Sequence, residues 1–200
     1  DYHPSMFRNS KLSQFDQLES ELTLPQPKVD LAAIAAGETW RMVVTGVGGS
    51  GVTTISRVVA EAAKEMDGRD DLEFKFMDQK GLAQRNGNVT GHLCIHPKGT
   101  SSGAVTPVGK ASLLVSPDLL DGPKQSHFLK EGGVGIFDKK FQIPLSILLD
   151  KGEEAPALSE AQLRQQVRET LGEQAKLYHF KNISESLFGK SVYSNAMLLG

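Results

Sequence analysis

The sequence predicts an α/β fold: a Rossmann-like, mostly parallel sheet with helices on both faces. Three observations carry that expectation. A β-prone run, Met42-Val43-Val44-Thr45, leads into a glycine turn, Gly46-Val47-Gly48-Gly49-Ser50-Gly51. Apolar residues then recur at Val52, Ile55, Val59 and Ala63, close to the helical period. Further along, short apolar runs at 112–115 and 134–137 have the buried-strand character of a parallel sheet. Strands alternating with helical stretches place helices on both faces.

Taken in order, residues 1–40 read as a linker or interdomain arm. They are polar, carry Pro4, Pro25 and Pro27, and offer only Phe15, Leu18 and Leu22 as a short helical stripe. From Arg41 the α/β pattern holds to the last residue, so 41–200 is read as one domain. The helix after the glycine turn is expected to last about four turns, to Met66, stopped by Asp67-Gly68. A second strand is expected at 72–77 and a third at 91–96, where the pattern alternates and ends at Pro97. Ser159 opens a helix with Gln162 three residues on, a capping box. Leu163, Val167 and Leu171 form its apolar stripe and Gly172 stops it, and a further strand is expected at 177–180. The first residue is Asp1 and the last lies just past a helical 195–199, so both ends read as cut from a longer polypeptide.

Composition narrows the function classes. Charged residues make up 23%, hydrophobic ones 39%, and the net charge is -2, which gives no nucleic-acid signal. A single cysteine, Cys94, cannot form an internal disulfide framework, a zinc site or an iron–sulfur site, and it suits a reducing cytoplasm. No apolar run reaches the roughly 18 residues of a membrane span, and no signal peptide opens the chain.

Two stretches carry the chemistry. In the first, the glycines let the backbone turn sharply and approach a ligand, while free N–H groups and the helix dipole favour an anion. Ser50, Thr53 and Thr54 are helix caps first and phosphate donors second. A dinucleotide fold needs an acidic residue about 20 positions on to hold the ribose. Asp78 stands 27 positions after Gly51, which is long, and Gln79-Lys80-Gly81 after it is atypical. A turn that only packs helix on strand is the other possibility. The second stretch, 77–92, is dense in amides, charges and glycines between two expected strands, where loops at strand carboxyl ends form a ligand crevice. Gln79, Lys80, Gln84, Arg85 and Asn88 offer donors for phosphate, carboxylate or amide groups. His92, on an alternating strand, reads first as a satisfied core histidine. His96, His127 and His179 lack ligand-type neighbours at metal spacing, and Lys139-Lys140, Arg164 and Arg168 read as solvated faces.

The glycine pattern resembles, loosely, the nucleotide loop of ubiquitin-activating-type adenylyltransferases, with Asp78, Arg85 and Asn86 imitating their ATP-handling residues. Both stretches together resemble something more specific: the gamma-type domain of 2-oxoacid:ferredoxin oxidoreductases. Gly46-x-Gly48-Gly49-x-Gly51 pairs there with Gly81-Leu82-Ala83-Gln84-Arg85-Asn86-Gly87-Asn88-Val89-Thr90-Gly91-His92, and Ser194-Asn195-Ala196-Met197-Leu198-Leu199-Gly200 is similar to the closing Asn-x-x-x-Leu-Gly helix. The stretch from Asp78 to Gln84 is most like indolepyruvate oxidoreductases, notably the long fused form. Ser50, where many members carry Gln or Thr, and Asn86, where Gly is usual, depart from the pattern. The resemblance implies a whole enzyme that decarboxylates a 2-oxoacid on thiamine diphosphate with Mg2+, and passes electrons through [4Fe-4S] clusters to ferredoxin or another acceptor. It implies thiamine-binding partner domains and an oligomer, with those centres outside this chain. For this part it implies support: an interface with the thiamine domains, or a hold on a phosphate-bearing ligand such as coenzyme A. Gly46, Gly48, Gly49, Ser50, Gly51, Thr53, Gln79, Lys80, Gln84, Arg85 and Asn88 are the candidate cofactor-binding residues.

Overall fold

The computed structural model describes residues 37–64, 70–80, 88–141 and 159–199. Its strands are β1 (Trp40–Val47), β2 (Leu72–Lys80), β3 (Asn88–Pro97), β4 (Ala111–Ser116), β5 (Leu129–Asp138) and β6 (Ala175–Tyr178). Its helices are α1 (Val52–Lys64), α2 (Glu160–Leu171), α3 (Phe180–Phe188) and α4 (Ser194–Leu199). The strands form one sheet in the order β2-β3-β1-β4-β5-β6. β4, β5 and β6 run parallel to β1, whereas β3 is antiparallel to both β1 and β2. Only β3 is reversed among these strands, so the sheet is mostly parallel with one antiparallel insertion.

Central position explains the apolar run of β1. Val43 and Val44 point to opposite faces, and both are buried. On the Val43 face, Leu163 and Val167 of α2 join Leu114 and Phe137 in the core. On the Val44 face lies α1. Val44 pairs with Gly91, and a Cβ at Gly91 would collide with Ser56 Oγ of α1. That glycine lets helix and sheet close together. Helices therefore cover both faces, as the sequence predicts.

The α2 boundaries also follow the sequence. Ser159 and Gln162 form the reciprocal capping box, and Gly172 ends the helix at φ 52°. The end expected for α1 at Met66 to Gly68 lies outside the described residues. Two expectations are corrected. The stretch read as a loop from Met77 to His92 is paired strand in its described parts, since β2 continues to Lys80 and β3, its antiparallel neighbour in a β-hairpin, begins at Asn88. Its backbone groups pair from Leu72↔Pro97 to Lys80↔Val89, and that ladder overrides the polar composition. The strand expected at 177–180 ends at Tyr178, because Phe180 begins α3. Asp138, at the end of β5, accepts the Lys181 N–H at 2.8 Å and caps that helix from 43 residues away. No helix among the described residues is long and apolar enough to cross a membrane.

Candidate functional site

The glycine turn leaves β1 at the carboxyl end of the parallel strands, the end where such sheets carry ligands. Gly49 and Gly51 both have φ near +89°. Ser50 N–H donates to the Val47 carbonyl at 3.0 Å, and Ile55 N–H to the Gly51 carbonyl at 2.9 Å, so α1 starts from Gly51. Ser50 therefore does not cap it. Its Oγ is buried and has no hydrogen-bond partner among the described residues. The expected capping role is corrected, since the turn hands that position to Gly51. Asn195 Nδ2 donates to the Ser50 carbonyl at 3.2 Å. A Cβ at Gly51 would collide with the same amide. The glycine motif and the closing Asn195 motif thus form one structural unit, and part of the demand for glycine comes from Asn195. Thr53 is exposed on the outer side of α1.

The start of β3 lies beside this turn, for Asn88 pairs with Val47. Its polar side chains largely satisfy one another. Asn88 Oδ1 accepts from Thr45 Oγ1 at 3.2 Å and from Thr90 Oγ1 at 3.4 Å. His92, fully buried, accepts the Thr106 N–H on Nδ1 at 3.3 Å. Nε2 then carries the proton and donates to Gln79 Oε1, also at 3.3 Å. The ring packs edge-on against Phe128. Burial lowers the His92 pKa, the Arg41 charge lowers it further, and Asp78 pulls the other way. This is a neutral, fully satisfied core histidine.

Lys80 ends β2 opposite Val89, while Gln84 and Arg85 lie outside the described residues. Asp78 pairs with Gly91, and its Oδ1 is buried without a hydrogen-bond partner among the described residues. Because β3 intervenes between β1 and β2, Asp78 is not on the strand beside the glycine turn, as a dinucleotide fold requires. Arg41 carries a role the sequence reading missed. Only 8% exposed, it donates to the carbonyls of Gly103 and Val105 at 3.1 Å each and to Ser102 Oγ at 2.6 Å. It pins the 102–105 segment across the sheet, and Lys75 Nζ joins it at the Ser102 carbonyl.

Between the first turns of α1 and the 191–199 segment lies a cleft of about 550 Å³. Gly49, Gly51, Thr54, Lys181, Ser194 and Asn195 supply its polar side, and Val58, Val192 and Leu199 its apolar wall. Among the described residues no carboxylate lines it, and α1 has no acidic residue in its first turn. The positive end of α1 is therefore uncompensated there. Lys181 and Ser194 were not singled out as site residues in the sequence. Ser194 stands within the closing motif, but nothing local marks Lys181.

Among the described residues no three His, Cys, Asp or Glu side chains converge to hold a metal ion, and Cys94 is buried in β3. These residues do not fit an iron–sulfur cluster or a metal-diphosphate cofactor.

Known proteins resemble the chain in sequence and in shape. It is 24% identical over 161 residues to indolepyruvate oxidoreductase subunit IorB of Thermococcus kodakarensis, covering 80% of this chain and 75% of that protein. The subunit of the same name from Archaeoglobus fulgidus is 30% identical over 106 residues, covering 53% of this chain and 49% of the relative. That of Pyrococcus horikoshii is 28% identical over 105 residues, 52% and 48% of the two chains. The chain thus spans about half the length of two relatives and three-quarters of the third. The crystal structure of pyruvate oxidoreductase subunit PORC from Thermotoga maritima superposes with a TM-score of 0.53 at 16% identity, over 80% of this chain and 73% of that one. That likeness shows the fold. Residues 41–200 match the family described as pyruvate ferredoxin/flavodoxin oxidoreductase, and the chain belongs to that family.

Proposed function

We propose that residues 41–200 are the gamma-type domain of an indolepyruvate-class 2-oxoacid:ferredoxin oxidoreductase. In this reading the domain supports catalysis and does not carry it. The observation that carries the proposal is the family match joined to relatives that are all named indolepyruvate oxidoreductase subunits. Thiamine diphosphate with Mg2+, bound on partner domains, supplies carbanion stabilisation during decarboxylation, and [4Fe-4S] clusters there pass electrons to ferredoxin. In this reading the contribution of the domain is assembly and ligand positioning. The paired polar groups of Asn88, Thr45, His92 and Gln79 beside the glycine turn support an interface role, since such groups can be buried against a partner at little cost. The cleft at the glycine turn, with no carboxylate among its described lining residues, supports a contribution to holding coenzyme A. The assembly is an oligomer in the cytoplasm.

The test is viologen reduction by the intact native polypeptide given indolepyruvate, thiamine diphosphate and magnesium, with and without coenzyme A. Turnover that requires coenzyme A is the expected result. Turnover without it keeps the oxidoreductase and leaves the domain an interface. No turnover with any 2-oxoacid sinks the assignment.

A further inference from the structure

We infer that a second cleft, at the amino-terminal end of the parallel strands, is a site for a small polycarboxylate held by Arg41, Lys110 and Lys130. The inference goes beyond the function proposed above and does not depend on it.

Strand register brings the three cations together. Arg41 precedes Met42, which pairs with Leu113 of β4, and Ala111 of β4 pairs with Leu129 of β5. Lys110 and Lys130 adjoin that second pair along the chain. Because β1, β4 and β5 are parallel neighbours, all three lie at the end of the sheet opposite the glycine turn. With Ser102, Gly103 and Glu38 among the other residues, they line a cleft of about 520 Å³.

The charge in this cleft is not balanced. Arg41 is more than nine-tenths buried, and its hydrogen bonds go to two carbonyls and a hydroxyl, all neutral acceptors. A buried guanidinium without a carboxylate is costly, and it carries more N–H groups than those bonds use. Lys75 Nζ, 2.6 Å from the Ser102 carbonyl, adds further positive charge beside it. Arg41, Lys110 and Lys130 make no salt bridge with a described residue. Glu38 is the one carboxylate among the described lining residues, and it is exposed. A surplus of positive charge around a concave surface selects an anion.

Spacing and lining narrow the class. Neighbouring strands lie about 4.8 Å apart, so cations on three of them spread over roughly 10 Å of sheet. A molecule with two or three carboxylates engages more of that span than a single anionic group does. Pro107 is the one apolar side chain among the described lining residues. A protein partner would anchor on apolar or aromatic residues, and a nucleotide would need an apolar wall for its base. The occupant is thus a compact, hydrophilic acid.

The full chain tests this at low salt, by calorimetry and amide chemical-shift mapping, with citrate, acetate and pentaglutamate as probes. Expected is saturable one-to-one citrate binding that shifts the amides of Ser102, Gly103 and Lys110 and leaves those of Gly49 and Gly51 in place. Lys110→Gln and Lys130→Gln should each weaken citrate about threefold, and the double variant about tenfold. Glu38→Gln should tighten it about twofold, because an opposing charge is removed. Acetate should bind about tenfold more weakly than citrate, or weaker still. Unchanged melting temperatures and circular dichroism show that the variants are folded. No saturable citrate binding up to about 10 mM overturns the site. So does binding that neither lysine variant weakens, and so do shifts centred on Gly49 and Gly51. Acetate binding as tightly as citrate overturns the polycarboxylate assignment. Pentaglutamate binding tighter than citrate overturns the small acid in favour of an acidic polypeptide segment.

Discussion

Two regions of this molecule look like ligand sites in the sequence, and the structure treats their polar groups in opposite ways. The hairpin around Gln79 to His92 holds more hydrogen-bonding side chains, yet those described there mostly partner one another or nearby backbone. The cleft at the glycine turn holds fewer, yet the buried Ser50 Oγ lacks a partner among the described residues. Abundance of polar residues thus marks a rigid structural network here, and the sparse region keeps capacity in reserve. A paired polar group has already recovered its desolvation cost, whereas an unpaired one gains by meeting a ligand.

The largest expected effect lies where the glycine turn meets Asn195. Gly51→Ala places a Cβ in the left-handed region at φ +89° and against Asn195 Nδ2. Backbone strain and the displaced amide together should destabilise the fold by about 3 kcal/mol, read by urea denaturation. A loss under about 1 kcal/mol would show that the turn and the closing helix are not one unit. On the hairpin side, His92→Leu removes the acceptor of the Thr106 N–H inside the core. That should cost about 2 kcal/mol at pH 7. The same variant tests the protonation state. Burial and Arg41 lower the folded pKa of His92 below its ordinary 6.5, so the unfolded chain takes up a proton that the folded one resists. Above that value His92 contributes no pH dependence. As pH falls below 6.5, stability is lost by up to about 1.4 kcal/mol per unit until the folded pKa is reached. The difference between parent and His92→Leu should therefore shrink on acidification through that window. A constant difference would mean His92 titrates normally and is not sealed in the core.

Much of this was legible because it is local. The strand, glycine turn and helix at 40–64, and the Ser159/Gln162 capping box, follow from propensity, periodicity and short-range bonds. His92 was legible as a satisfied core position from strand alternation alone. What escaped the sequence is long-range. The hairpin hid beneath loop-like composition, since its ladder is paid for by pairing between strands and not by residue preference. Helix α3 escaped because its cap, Asp138, comes from another strand. Arg41 read as the residue before a strand, and only the fold brings it to the 102–105 segment. Lys181 has no neighbouring motif at all. The family resemblance located the two motifs, but that Asn195 closes over the glycine turn follows only from three-dimensional contact.

The smallest effects discriminate best between the two regions. Asn88→Ala removes the acceptor shared by Thr45 and Thr90, both buried. Those hydroxyls can still approach each other at 3.5 Å, so the cost should be only about 1 kcal/mol. Ser50→Ala, one residue from the cap of α1, should behave differently. Its buried Oγ gives up no hydrogen bond to any described residue, and its desolvation cost disappears with it. Thermal or urea denaturation should find the variant within about 0.5 kcal/mol of the parent, or slightly more stable. Equal losses in the two variants would erase the distinction between the hydrogen bonds shared at Asn88 and the unpaired Ser50 Oγ. A neutral Ser50→Ala beside a costly Asn88→Ala would place the free hydrogen-bonding capacity of this end of the sheet on the cleft side.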